Sequence, residues 1–179
     1  MNRPIIDMLD LIAPLDSQER EHLQNIRDWL QATTDIYRRV KPATPDKHLV
    51  VYCVPLDIAQ GQAFLGYHIA ADMWLPPGGH VETNEHPTDA AMRECAEELG
   101  IEPVLFNRVP LLASVEPTVG PGTHIDMTFW YALRCSTSQL LTVDEREFGQ
   151  VSWVRFDEVA SYPTNRNLPR FLSKARALI

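Results

Sequence analysis

The stretch from Gly79 to Ile101 constrains this chain more than any other part of it. It reads Gly79-His80-Val81-Glu82-Thr83-Asn84-Glu85, seven residues, then Arg93-Glu94-Cys95-Ala96-Glu97-Glu98-Leu99-Gly100-Ile101. Pro87 suits the first turn of a helix, where its missing N–H has no partner to lose. Residues 88–99 are rich in Ala, Met, Glu and Leu, all good helix formers. Gly100 stands where a left-handed residue would close the helix. Residues three and four apart are neighbours on a helix, so Glu94, Glu97 and Glu98 are expected on one stripe. Ala91, Cys95 and Leu99, each four apart, are expected on another stripe facing a core. Three neighbouring carboxylates repel one another. Stability does not select that arrangement, whereas a hard divalent cation wants oxygen ligands of this kind.

An acidic helix face alone is more often a solvated surface, and the preceding residues narrow the reading. Trp74-Leu75 runs into Pro76-Pro77-Gly78-Gly79, a turn in which glycine permits close approach to the backbone. Arg93 is the single Lys or Arg between Gly79 and Ile101. Glu85 is its expected ion-pair partner, tying loop to helix.

Together these residues resemble the Nudix box, G-x5-E-x7-R-E-U-x-E-E-x-G-U with U apolar. Gly79, Glu85, Arg93, Glu94, Glu97, Glu98 and Gly100 fill every fixed position. Cys95 departs mildly from the usual aliphatic residue, and a buried Cys behaves as a small hydrophobe. The resemblance implies Mg²⁺-dependent hydrolysis of a diphosphate linkage in a nucleoside diphosphate derivative, with Mn²⁺ as a substitute ion. It implies Glu94, Glu97, Glu98 and the Gly79 carbonyl as metal ligands. It makes Glu85 and Arg93 organisers of the loop, and Glu82 a further contact to metal or water. A base must reach the attacking water. Glu147, shortly before a strand containing Trp153, is preferred to Glu145 and ranks beside Glu98 and Glu94. The bland reading of Glu147 is an exposed acidic loop.

The 179 residues suffice for one domain with a real core. A net charge of −8 opposes nonspecific binding to a nucleic acid polymer, but not a phosphate substrate held through cations. Cys53, Cys95 and Cys135 are isolated and lack metal-ligand spacing, which reads as reduced thiols in a cytoplasmic protein. No apolar run approaches the ~20 residues a membrane helix needs.

Residues 15–40 read as one amphipathic helix, with Asp16 and Glu19 placed as in a capping box. This helix is expected to pack on the fold or on a second copy in a homodimer. Residues 1–47 are thus read as a helical extension and Pro-containing connector, and 48–179 as the Nudix hydrolase domain. Strands are expected at 48–54, 62–69 and 150–154, with Phe156 anchoring the last in the core. Residues 104–115 read as extended structure broken by Pro110. Residues 124–134 alternate as a half-buried strand. Asp157 is placed to cap a small helix, and residues 168–178 read as a C-terminal helix. The fold class is α/β: an α/β/α sandwich with a mixed sheet and an added N-terminal helix, in agreement with the Nudix fold.

The box leaves the attached group open, and specificity is expected in loops. Two candidates are residues 116–126, with His124 and Asp126 as substrate contacts, and residues 162–169. In the second, Asn167 resembles the base-recognising Asn of the family's oxidised-nucleotide hydrolases; the plainer reading of Asn165 or Asn167 is a helix cap. A nucleoside triphosphate, oxidised or not, cleaved to monophosphate and pyrophosphate, is the leading expectation. Pro117 lies near a position that the family associates with ADP-ribose hydrolysis, so an ADP-ribose or nucleotide-sugar pyrophosphatase is the alternative. A nucleotide-binding regulator without turnover is the third.

Overall fold

Strand β1 (Lys47–Asp57) organises the sheet. The computed structural model describes residues 2–41, 43–118 and 124–178. Pro42 of the 41–47 connector and residues 119–123 of the 116–126 loop lie outside the described residues, as do Met1 and Ile179. The other strands are β2 (Gln62–His68), β3 (Met73–Leu75), β4 (Gly78–His80), β5 (Leu112–Pro117), β6 (Ile125–Arg134) and β7 (Phe148–Arg155). The helices are α1 (Arg3–Leu9), α2 (Ser17–Ala32), α3 (Pro87–Leu99) and α4 (Leu168–Ala175). The sheet runs β3-β2-β1-β6-β5, with β4 added to β1 and β7 to β2. It is mixed: β1 and β6 are parallel from Lys47↔Ile125 to Leu56↔Arg134, and the other pairs are antiparallel.

Each face of the sheet has its own core. On one, Leu49, Val51, Cys53, Met127, Phe129, Tyr131 and Leu133 meet Ala91, Cys95 and Leu99 of α3 and the apolar residues of α1 and α2. On the other, Val54, Leu56, Trp130 and Ala132 meet Leu168, Phe171, Leu172 and Ala175 of α4. Completely burying a side chain such as Phe129 or Leu99 contributes about 1.5–3 kcal/mol. The expected α/β/α layering is therefore present. Strand β6 differs from the half-buried expectation: its residues from Met127 to Leu133 are all buried, because helices cover both faces.

The N-terminal part differs too. Helix α2 stops at Ala32, not at residue 40. Thr33 is extended, and its hydroxyl accepts the Asp35 N–H at 3.0 Å, diverting a backbone donor from the helix. The Ile36 carbonyl then accepts the Leu49 N–H at 2.9 Å, joining the segment to β1. The capping pair is present in part: Asp16 accepts from the Glu19 N–H, while Glu19 accepts from Leu15 N–H and from Lys174 of α4. Helix α1, unforeseen in the sequence, is stitched on by Asn2, whose amide donates to the Leu30 and Thr33 carbonyls at the open end of α2. Near the C-terminus, residues 159–161 form a 3₁₀ turn that Asp157 does not cap, Asp157 pairing with Arg155 instead. The 168–178 helix ends at Ala175 and tightens to a 3₁₀ turn. Phe156 is in the core, as expected. No helix of the described residues is long and apolar enough to cross a membrane.

Candidate active site

Helix α3 is built as its sequence predicts. Pro87 opens it, the His86 side chain caps the Thr88 N–H at 3.3 Å, and Gly100 closes it in the left-handed conformation at φ 62°. Strand β4 pairs with β1 through Val51↔Gly79, which sets the glycine pair beside α3. A side chain at Gly78 is blocked by backbone, and one at Gly79 would displace the Glu94 carboxylate. A Cβ on Gly78 would stand 2.2 Å from the Val51 carbonyl, and one on Gly79 would stand 2.4 Å from Glu94 Oε1.

The carboxylates of α3 divide into two groups. Glu94 and Glu98 line a cleft of about 640 Å³ together with Gly78, Gly79, Glu82 and Glu147. Glu98 is 8% exposed and accepts the Gly78 N–H at 3.3 Å. Burial, then the neighbouring Glu94 charge, pushes its carboxyl up to about 8. Burial also raises Glu94, against the pull of Arg93. Glu97 is absent from the cleft lining; its side chain is 60% exposed and lies 3.3 Å from Arg93 Nη1.

Arg93 forms the expected tie. Its Nε and Nη2 hold both oxygens of Glu85 at 2.9 and 3.0 Å, a bidentate pair. Nη2 also donates to the His80 carbonyl at 3.2 Å, and Nη1 lies 2.9 Å from Glu94 Oε1. Glu85 in turn accepts the Glu82 N–H. Loop and helix are thus locked at the point where Glu94 enters the cleft. Glu147 reaches the same cleft from just before β7, with Oε2 3.4 Å from His68 Nε2, and its charge adds to the rise at Glu98.

Buried Glu98 and half-buried Glu94, beside a glycine backbone, form an oxygen donor set that fits a hard dication. Such an ion would offset the burial that raises both carboxyls and the Glu94 charge that further raises Glu98.

A second cavity of about 380 Å³ shares Tyr52, Ala71, Leu75, Thr118 and Asp126 with the first, so the two are continuous. Its far wall carries Met73, Glu116, Pro117, Thr128 and Asn165. The Asn165 amide donates to Glu116 at 2.8 Å. Asn167 lies apart: it is completely buried at the N-cap position of α4, makes no side-chain cap, and does not line the cavity. Asp126 lines both cavities. His124 is 9% exposed, with Nε2 3.0 Å from Asp126 Oδ1. Tyr52 and Glu116 were not singled out in the sequence; the alternation Val50, Tyr52 on β1 was the available signal for the first.

Comparison with known proteins agrees with this architecture. The NUDIX domain family model matches residues 46–175. The m7GpppN-mRNA hydrolase NUDT17 of Xenopus laevis is 32% identical over 97 residues, covering 49% of this chain and 33% of that protein. The chain therefore spans about a third of the length of that relative. The nucleoside triphosphatase NudI of Escherichia fergusonii is 33% identical over 97 residues, covering 51% of this chain and 68% of that one. Among solved structures, the E. coli dihydroneopterin triphosphate pyrophosphohydrolase superposes with a TM-score of 0.63 at 16% identity, covering 80% and 99% of the two chains, a likeness of fold.

Proposed function

The chain belongs to the NUDIX domain family, and we propose that it hydrolyses a nucleoside triphosphate to the monophosphate and pyrophosphate. The observation that carries this reading is the continuity of the cleft. Half-buried Glu94 and buried Glu98 stand at one end, and the other end opens into a side cavity with an amide and a carboxylate on its wall. Names of relatives, a nucleoside triphosphatase and an mRNA-cap hydrolase, support a nucleotide substrate.

Glu94, Glu98 and the Gly79 carbonyl would hold Mg²⁺, with Glu97 at the rim. When bound, the ion supplies charge neutralisation for the phosphate oxygens and a lowered pKa for the attacking water. Glu98 and Glu94 give up basicity in ligating a cation. Of the other carboxylates lining the cleft, Glu82, Asp126 and Glu147, we assign Glu147 to take the proton from water, following its place shortly before the strand with Trp153. Arg93 acts through Glu85 and the His80 carbonyl, fixing the loop against the helix. Asn165 takes the base-reading role that the sequence suggested for Asn167, because it is the one on the cavity wall: one N–H donates to Glu116 and Oδ1 accepts the Asn167 N–H, which leaves its second N–H for a base edge.

Pro117 lines the same cavity and favours ADP-ribose or a nucleotide sugar as the second reading. A panel of canonical and oxidised nucleoside triphosphates, ADP-ribose and nucleotide sugars in Mg²⁺ separates them. Monophosphate plus pyrophosphate from a triphosphate upholds the first reading. AMP plus ribose phosphate from ADP-ribose alone replaces it with the second.

A further inference from the structure

Beside the carboxylate cleft, three imidazoles and a carboxylate converge in the sheet. His48, His80, His124 and Asp126 each present one ligand atom, and these atoms all lie within 4.8 Å of one another. The ring centroids of His48 lie 4.9 Å from His80 and 4.4 Å from His124. Strand register produces the grouping: His48 is the Cα partner of Asp126 across β1 and β6, and Val50, two residues along β1, is the partner of His80 on β4. His124 immediately precedes β6. The group therefore rests on paired strands, which hold ligands more firmly than loops do.

The state of His48 points to a ligand. Its ring is completely buried. Nδ1 lies 2.8 Å from the Pro45 carbonyl, which can only accept, so Nδ1 carries a proton. In the neutral ring Nε2 is then a bare lone pair. It has no hydrogen-bond partner among the described residues and lies 3.9 Å from Asp126 Oδ1, another acceptor. His80 Nε2 is likewise buried without such a partner among the described residues. His124 pairs with Asp126 and the Arg38 charge reaches the group, yet no donor faces His48 Nε2 among the described residues; a metal ion seated among these atoms would give that lone pair a partner. An imidazole that donates one N–H to a backbone carbonyl and aims its other nitrogen at a shared point is oriented as metal-bound histidines are.

We infer that His48, His80, His124 and Asp126 form a second metal site, selective for a first-row transition dication such as Zn²⁺. The nitrogen-rich donor set suits Zn²⁺, whereas the all-oxygen set of Glu94 and Glu98 suits Mg²⁺. A tetrahedral zinc ion about 2.0–2.1 Å from each ligand needs the donors to close by on the order of 1 Å. Asp126 lines the open cleft and gives the ion a way in.

The test uses the full chain stripped by a chelator and titrated with Zn²⁺ against a chromophoric competitor. The background is the Glu94→Gln/Glu98→Gln double variant, which removes the oxygen site. The expected result is one Zn²⁺ per chain, with Co²⁺ giving the visible bands of a tetrahedral nitrogen-oxygen site. Adding His124→Gln or Asp126→Asn should weaken binding by at least about tenfold. Circular dichroism checks that these variants fold, and neither replaces the fully buried His48. Absence of stoichiometric Zn²⁺ in the double variant, or equal affinity after both further substitutions, overturns the assignment. The readout is binding, so the result does not depend on which nucleotide is hydrolysed.

Discussion

The two ends of the cleft are held by different physics. At the glycine end, charge is crowded into a buried, tightly packed corner. Glu98 is raised by burial and by Glu94, a Cβ at Gly79 would displace the Glu94 carboxylate, and Arg93 is locked on Glu85, the His80 carbonyl, Glu94 and Glu97. At the other end, Asn165 and Glu116 meet in a hydrogen bond with a neutral donor, on a wall made from strand ends and the segment before α4. The first end tolerates almost no change in shape, as fixed chemistry requires. The second can exchange side chains without disturbing the first, as variable recognition requires. Substitutions at the two ends should accordingly fail in different ways.

The largest effect is expected from Glu98→Gln, which keeps the shape and deletes a buried ligand charge. Its kcat should fall by at least about 100-fold, with circular dichroism unchanged, on the scale that loss of metal-site residues produces. A kcat near that of the parent enzyme would remove Glu98 from the site.

Arg93→Lys is expected to follow. Lysine cannot reproduce the bidentate hold on Glu85, and a supporting residue of this kind is worth about 10–100-fold in activity or metal affinity. Added Mg²⁺ should restore part of the rate, because the loop loses orientation while the ligands remain. A rate unaffected by the substitution would show that the Glu85–Arg93 pair serves stability alone.

At the opposite end, Asn165→Ala should change the ratio of kcat/KM between bases by about tenfold, the worth of one or two hydrogen bonds, while kcat on the best substrate changes little. Asn167→Ala should leave that ratio alone. The reverse pattern would return base reading to Asn167.

The smallest effect is thermal. Mg²⁺ at about ten times its Kd should stabilise the protein by ~1.4 kcal/mol, roughly 3–6 °C for a domain of this size. Glu94→Gln/Glu98→Gln should lose that response to Mg²⁺. An undiminished shift in the double variant would place the ion elsewhere.

The glycine end was readable in the sequence because its parts are close along the chain and helix geometry relates them. Spacing alone brought Glu94 and Glu98 together and set Ala91, Cys95 and Leu99 on the buried side. It could not tell that Glu97 would turn to Arg93 and solvent, since one helical step separates a buried carboxylate from an exposed one. The cavity end depends on pairing between distant strands. Tyr52, Glu116 and Asn165 meet only through the β1–β6–β5 order, which no local pattern contains. The same holds for His48, His80 and His124, of which only His124 stood out beforehand. Helix α2 was overextended because Ile36, Tyr37 and Val40 keep helical spacing by coincidence, and the Thr33 hydroxyl decides the end. Strand β6 read as half-buried because the alternation of Met127, Phe129 and Tyr131 leaves the other face unassigned, and the burial of Trp130 on that face depends on the α4 layer.

The most direct test of the central claim is pyrophosphate release from nucleoside triphosphates across a Mg²⁺ titration, with the parent protein and Glu98→Gln side by side. Stoichiometric monophosphate and pyrophosphate, rising with Mg²⁺ and abolished by the substitution, is the predicted result. Nucleotide binding without release at any Mg²⁺ or Mn²⁺ concentration, or equal release from both proteins, would contradict it.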